Sequence, residues 1–208
     1  MSKINAFNIQ RGWIEVICGP MFSGKSEELL RRINLLKYSE VEYVVFTPTK
    51  DTRSGEKIAK SRDGRTIATI SVTDSLEMID YINKSIKSIQ VIAIDEAQFF
   101  DNKLADVCNH LANNGYIVLV AGLDMDSFGA PFEQMSRLLA SAERVTKLKA
   151  ICTECGANAT FSDHLDKRDV KNNIIVGDKN EYTARCRKCH RHLRDRTKHL
   201  PEVRKAAI

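Results

Sequence analysis

An α/β fold, a mostly parallel sheet flanked by helices and followed by a small C-terminal cysteine module, is predicted by three observations. Short apolar runs alternate with stretches of helical periodicity along residues 13–150. That is the pattern of strands buried on both faces and joined by helical crossovers. A glycine-bracketed motif, Gly19-Pro20-Met21-Phe22-Ser23-Gly24-Lys25-Ser26, separates the first apolar run from the first helix. Beyond residue 150 come two C-x-x-C units, Cys152/Cys155 and Cys186/Cys189, with 30 residues between them. At 208 residues the chain has room for one ordinary domain plus such an appendage. The predicted organisation is a lead-in over residues 1–12, a nucleotide-binding body over 13–150, a cysteine module over 151–193 and a basic tail over 194–208.

Residues 1–12 read as a flexible lead-in without the apolar core of a signal peptide. Trp13-Ile14-Glu15-Val16-Ile17-Cys18 is the first strand. The motif after it is G-x-x-x-x-G-K-S, the phosphate-binding P-loop. Gly19 and Gly24 permit positive φ, which turns successive N–H groups inward, and the following helix N-terminus adds its dipole to the cradle. In such a loop Lys25 reaches the β- and γ-phosphates of a nucleotide, and Ser26 ligates its Mg²⁺. Leu29, Leu30, Ile33 and Leu36 recur at helical spacing, so the first helix ends near Tyr38. Tyr43-Val44-Val45-Phe46-Thr47, closed by Pro48, completes a βαβ unit with an expected right-handed crossover.

Thr49 to Gly55 lies just past a strand end, where open α/β sheets bind ligands. Asp51 and Arg53 there either face phosphate or belong to a polar surface loop. Residues 56–70 are polar, glycine-containing and basic, and read as mobile when no ligand is bound. Asp74-Ser75-Leu76-Glu77 has the form of a capping box, opening a helix marked by Leu76, Ile79, Ile82 and Ile86. Val91-Ile92-Ala93-Ile94 is a buried strand ending in Asp95-Glu96-Ala97-Gln98. Four apolar residues and then Asp, downstream of a P-loop, are a Walker B strand, which carries its acid to the sheet edge beside the metal. Leu104, Val107, Cys108 and Leu111 mark the next helix, and Asn113-Asn114-Gly115 stops it. Tyr116 to Ala121 is a further strand. In the loop beyond it, Phe128 and Phe132 either line a pocket for a flat ligand or pack the loop itself. Met135, Leu138 and Leu139 give a short helix, and Val145 to Ile151 alternates as a strand leading into the cysteines.

Paired C-x-x-C units in a chain without secretory signals point to a tetrahedral zinc site rather than disulfides. The polar segment Ala157 to Arg185 between them reads as a long loop tied at both ends by the metal, the kind of loop that often covers a ligand. Cys18 and Cys108 fall within apolar patterns and read as core residues. No apolar run approaches the length of a membrane span, and the reading is a cytoplasmic protein. The net charge of +5 is concentrated in residues 185–208, which hold nine Lys/Arg against two Asp/Glu, leaving 23 against 25 elsewhere. The body is therefore slightly acidic, which argues against nucleic acid as its partner.

P-loop, Walker B acid and Mg²⁺ together predict nucleoside triphosphate binding, and leave kinase, ATPase and GTPase open. A single small body, the absence of an N-K-x-D guanine-reading motif, and Glu96 directly after Asp95 favour phosphoryl transfer to a small molecule. Glu96 is placed to take the proton of an acceptor hydroxyl. In an ATPase it would polarise water instead.

Several runs together resemble the zinc-containing thymidine kinases. They are the P-loop Gly19 to Ser26, Lys50-Asp51-Thr52-Arg53, Ile94-Asp95-Glu96-Ala97-Gln98-Phe99-Phe100 and the four cysteines, in that order from about Trp13 to Cys189. The resemblance implies transfer of the ATP γ-phosphate to the 5′-hydroxyl of thymidine, with deoxyuridine also possible, to give dTMP in nucleoside salvage for DNA synthesis. It implies Glu96 as general base, Asp95 and Ser26 at Mg²⁺, and Lys25 with Asp51, Thr52 and Arg53 in the phosphate and metal region. The ATP-binding set then comprises the P-loop residues, that segment and Asp95 to Gln98. Met21, Phe99, Leu123 and Phe132 match the wall of the nucleoside pocket, and Phe128 is counted with them as a candidate. Ser162 stands where the family often has Thr near the thymine methyl. Asn173, Ile174, Ile175, Val176 and Gly177 match a lid whose backbone reads the thymine edge, and Tyr182 a nucleoside contact. A structural Zn²⁺ on Cys152, Cys155, Cys186 and Cys189, a homotetramer and feedback inhibition by dTTP are implied as well.

The chain departs from the family in two runs. The usual Asp-Phe-x-Gly-x-Pro-Phe is here Asp126-Ser127-Phe128-Gly129-Ala130-Pro131-Phe132, with the aromatic one place later, and the lid has Gly177-Asp178 in place of Gly-Gly. Two rival readings stand beside the kinase. One is a P-loop ATPase acting on nucleic acid through a zinc ribbon and the basic tail. The other is a nucleotide sensor in which the P-loop moves the zinc lid without chemistry.

Overall fold

In the computed structural model the described residues are 12–36, 41–49, 58–60, 66–86, 88–165, 181–191, 199 and 201. Their elements are β1 (Trp13–Cys18), α1 (Lys25–Leu36), β2 (Tyr43–Pro48), β3 (Ile58–Lys60), β4 (Thr66–Ala68), β5 (Ile70–Val72), α2 (Ser75–Lys84) and β6 (Val91–Ile94). A 3-10 turn (Ala97–Phe99), α3 (Leu104–Asn113), β7 (Ile117–Gly122), α4 (Glu133–Ser141) and β8 (Arg144–Lys147) follow. The last are β9 (Ala150–Ile151), β10 (Asn158–Ala159), β11 (Phe161–His164) and β12 (Tyr182–Arg185). Six strands form one sheet in the order β5-β2-β6-β7-β1-β8. Every pairing in it is parallel.

Strand residues alternate between two apolar layers, as the period of two requires. Ile14, Val16 and Cys18 of β1 join Phe46, Ile92, Ile94, Val118 and Val120 under α2, α3 and α4, which contribute Met78, Leu104, Leu111 and Leu138. Ile17 faces the other way, with Val45, Ala93, Leu119 and Ala121, and is covered by Leu29, Leu30 and Ile33 of α1. Because all six strands run the same way, their C-terminal ends share one edge. The P-loop, Asp95-Glu96, Leu123-Asp124 and Leu148 leave the sheet there.

Three details differ from the expectations. In α2 the buried face is Ser75, Met78 and Ile82; Leu76 is exposed, and Ile86 lies past the helix end at Lys84. The cap sets this phase. Asp74 Oδ1 accepts from the Leu76 and Glu77 N–H groups at 2.9 and 3.0 Å, so the helix begins at Ser75 and its inward stripe follows from there. Glu77 returns its bond one residue early, to the Thr73 N–H at 2.7 Å. Asp74→Ala is expected to lower stability by about 1 kcal/mol, read as a lower urea midpoint at unchanged m-value.

The second difference lies in and just after residues 56–70, read as polar and mobile: β3 and β4 pair antiparallel there, and β5, an edge strand of three residues, follows without having been expected. The third lies in the cysteine module. Its expected loop contains β10, β11 and β12, arranged as two antiparallel ladders, β9 with β10 and β11 with β12. Phe161-Ser162-Asp163-His164 lacks apolar alternation because its buried polar residues are paired: Asp163 receives both arms of Arg191 at 3.1 Å.

Candidate active site

At the end of β1 the chain turns at Gly19 (φ 145°) and Gly24 (φ 82°) into α1. A Cβ on Gly19 would stand 2.6 Å from the Leu148 carbonyl oxygen, so the loop passes β8's exit too closely for any side chain. Phe22 also takes positive φ, 64°, a costly setting for an aromatic. Its side chain packs against the cysteine module, with Ala150, Cys152, Ala159, Ala184 and Cys186. The Met21 N–H donates to Ser162 Oγ of β11 at 2.9 Å. Two P-loop residues are thus held by the cysteine module, one by packing and one by a hydrogen bond. Ser162→Ala leaves the Met21 N–H without its acceptor and is expected to cost about 1–3 kcal/mol in chemical unfolding.

Lys25 Nζ and Ser23 Oγ both donate to the Pro20 carbonyl, at 2.8 and 2.9 Å. Burial pushes the Lys25 ammonium below its usual range, and Glu96, Asp95 and Asp124 push it back. Asp95, at the end of β6, is buried and hydrogen-bonded to the Ser26 side chain. Its carboxyl is raised to about 6, by burial first and the neighbouring Glu96 charge second. The Glu96 N–H donates to Asp95 Oδ1 at 2.9 Å, and Glu96 itself sits in the left-handed region (φ 52°, ψ 41°). Ser26 and Asp95 are oxygen donors of the kind Mg²⁺ takes, and a divalent cation would offset the charge crowding that raises Asp95. Their contact fits the metal role expected of them.

Sequence reasoning missed Asp124, buried just past β7 and paired with Lys147 Nζ at 2.6 Å. Its charge acts on Lys25 and Cys18, which places it beside the P-loop. The available signal was an acid close behind an apolar strand, akin to the one that marks Asp95. Gln134 of α4 was missed as well; its Nε2 donates to the carbonyls of Gln98 and Phe100.

Among the expected nucleoside-wall residues, Leu123 donates its N–H to Gln98 Oε1 at 2.8 Å, and Phe99 is half-buried on the 3-10 turn. Phe132 packs against the core layer under α4. The loop carrying Phe128 is closed by Asp126 Oδ1, which accepts from the Phe128 and Ala130 N–H groups at 2.9 and 2.7 Å. Tyr182 on β12 makes an edge-on ring contact with His164, centroids 5.0 Å apart. Asp51, Thr52 and Arg53, and Asn173 to Gly177, lie outside the described residues, as do residues 1–11 and most of the tail.

The ligand sulfurs of Cys152, Cys155, Cys186 and Cys189 all lie within 4.8 Å of one another, and Cys155 and Cys186 approach to 3.6 Å. A tetrahedral ion with metal–sulfur bonds of about 2.3 Å needs sulfurs about 3.8 Å apart, so the quartet fits a Cys₄ zinc centre. Cys152 is pushed up by burial, but backbone N–H groups of Cys186, Cys155 and Glu154 prevail and bring it down to about 6. The next residue, His190, is buried, and its Nε2 bridges the carbonyls of Ser127 and Ser162 at 3.0 and 3.1 Å. It ties the cysteine module to the loop between β7 and α4. A cavity of about 340 Å³ lined by Trp13, Arg32, Val91 and Ile117 is at the opposite edge of the sheet, where strands begin, and is remote from this chemistry.

Residues 12–190 match the family model described as thymidine kinase. The chain is 43% identical over 213 residues to a thymidine kinase of Mycoplasmoides gallisepticum, the match spanning 99% of this chain and 94% of that one. It is 45% identical over 199 residues to a thymidine kinase of Ureaplasma urealyticum serovar 10, spanning 92% and 88%. With a thymidine kinase of Bacteroides thetaiotaomicron it shares 45% identity over 181 residues, spanning 87% and 88%.

Proposed function

This chain belongs to the thymidine kinase family, and from that premise we propose how its residues divide the transfer of the ATP γ-phosphate to the 5′-hydroxyl of thymidine. The enzyme takes ATP and thymidine and forms ADP and dTMP. The observation that carries the division of labour is the meeting at one sheet edge of Ser26 with Asp95, and of Asp95 with Glu96.

The P-loop amides and Lys25 bind the β- and γ-phosphates. Ser26 and Asp95 hold Mg²⁺, which when bound neutralises charge shared by those phosphates. Glu96 accepts the proton of the 5′-hydroxyl as its oxygen bonds to the γ-phosphorus and the bond to the β–γ bridging oxygen breaks. Positioning and charge neutralisation supply most of the acceleration, so one base suffices. Met21, Phe99, Leu123, Phe128, Phe132, Ser162 and Tyr182 wall the nucleoside site. By the family resemblance, Asp51, Thr52 and Arg53 are assigned to the phosphates and Asn173 to Gly177 to the thymine edge.

Zn²⁺ at the four cysteines is structural, since four protein thiolates leave no open position. A four-thiolate centre requires reduced cysteines, which supports a cytoplasmic setting. Inhibition by dTTP fits the same site, because it presents the same base and sugar. A homotetramer is the expectation from the family resemblance. Incubation with γ-labelled ATP and separate nucleosides tests the function: label is expected on thymidine. ATP hydrolysis stimulated by DNA or RNA, with no labelled nucleoside, would contradict it.

A further inference from the structure

We propose that Gln98 is a positioning residue, whose side-chain amide holds the Glu96 carboxylate in the orientation that faces the acceptor hydroxyl. The inference rests on Glu96 acting as the base.

Gln98 is 1% exposed, on the 3-10 turn that follows Glu96. Its two amide ends are told apart by their partners. The Leu123 N–H can only donate, so the end 2.8 Å from it is Oε1, and Nε2 is the end 2.5 Å from Glu96 Oε2. Both ends of the amide are therefore engaged within the fold, which separates its role from the phosphate contacts of its motif neighbours. The main chain is held from the far side, where Gln134 of α4 donates to the Gln98 carbonyl. There is little slack around the amide. A Cβ on Gly122, the last residue of β7, would stand 3.0 Å from Gln98 Oε1.

Glu96 needs such a support. Its backbone is left-handed, a conformation that persists only when the surroundings over-determine it. Asp95 beside it is a like charge that repels the carboxylate, and Lys25 is an opposite charge that attracts it. Of the acids around Lys25, Glu96 acts on it most strongly, so its carboxylate already lies near the ammonium and a further contact is needed to fix its direction. The Gln98 donor pulls it toward the end of β7, where Leu123 marks the expected nucleoside wall. One amide thus ties the exits of β6 and β7 together and sets the direction of the base.

Two variants test this, each read as separate kcat and KM values in the full-length protein. Gln98→Met keeps the volume and removes the donor; Gln98→Glu keeps the shape and the acceptor for Leu123 but no longer donates to a carboxylate. Each is expected to lower kcat about 10- to 100-fold, the scale of one hydrogen bond to a charged group, with KM for ATP and thymidine within about twofold of wild type. A double-mutant cycle supplies the readout that a packing role would not move. In a Glu96→Gln background, Gln98→Met is expected to cost almost nothing further in kcat. Near-normal kcat in either folded variant, or an undiminished loss in the Glu96→Gln background, overturns the proposal. If Glu96→Gln alone keeps normal turnover, the base assignment fails first; if only the Gln98 variants keep it, the positioning claim alone fails.

Discussion

Replacing Glu96 by Gln lowers turnover with thymidine by about 10²- to 10⁴-fold, while ATP affinity stays within a few-fold of wild type. The substitution is isosteric, so the left-handed turn at the end of β6 and the hydrogen bond from Gln98 are preserved. What is lost is the capacity to take a proton. The phosphate cradle is built from other groups: the turns at Gly19 and Gly24, Lys25, and the Ser26–Asp95 contact. The hydrogen bonds named here are made by other groups, although the Glu96 charge acts on both Lys25 and Asp95. The expected signature is therefore a collapse of kcat with a nearly constant KM for ATP. Steady-state kinetics with equilibrium nucleotide binding would show it. Turnover near the wild-type value would remove Glu96 from the mechanism.

Cys189→Ser has the second large effect, and it acts on stability and substrate binding together. Zinc content falls, the unfolding midpoint drops by the equivalent of several kcal/mol, and KM for thymidine rises about tenfold or more. The module is small, and its apolar cluster consists largely of alanines and the cysteines themselves, so a metal held by the quartet would substitute for a core. What the module supports is at the nucleotide site. Phe22 packs into it, Met21 donates to Ser162, and His190 joins Ser127 to Ser162. Loosening the quartet frees the crown of the P-loop and the loop that carries Phe128. Unchanged zinc content together with unchanged thymidine affinity would contradict this coupling.

How much of this was legible in the sequence follows from where the constraints act. The six-residue β1, the P-loop glycines and the all-apolar β6 were readable because burial on both faces leaves continuous apolar runs and a left-handed turn calls for glycine. The phase of α2 was misread because its inward stripe contains Ser75, which lies buried against Asp101 rather than against apolar neighbours. The strands of the cysteine module were hidden for a related reason: Ser162 and Asp163 are polar residues buried with partners 141 and 28 positions away in the chain. Gln134 and the double role of Gln98 are likewise visible only once two strand ends and α4 are brought together, whereas Asp124 carried a sequence signal that went unused. The four cysteines were the exception, since their spacing announces a common ligand without any knowledge of the fold.

The central claim is that triphosphate, proton acceptor and metal-pinned module serve one reaction at one edge of the sheet. The most direct measurement is a structure of the protein with thymidine and a non-hydrolysable ATP analogue. The account predicts a Glu96 carboxylate oxygen within about 2.6–3.2 Å of the thymidine 5′-oxygen, and that 5′-oxygen in line with the γ-phosphorus and the β–γ bridging atom. A Glu96 carboxylate turned away from the 5′-oxygen, with another group accepting its hydrogen bond, would contradict it.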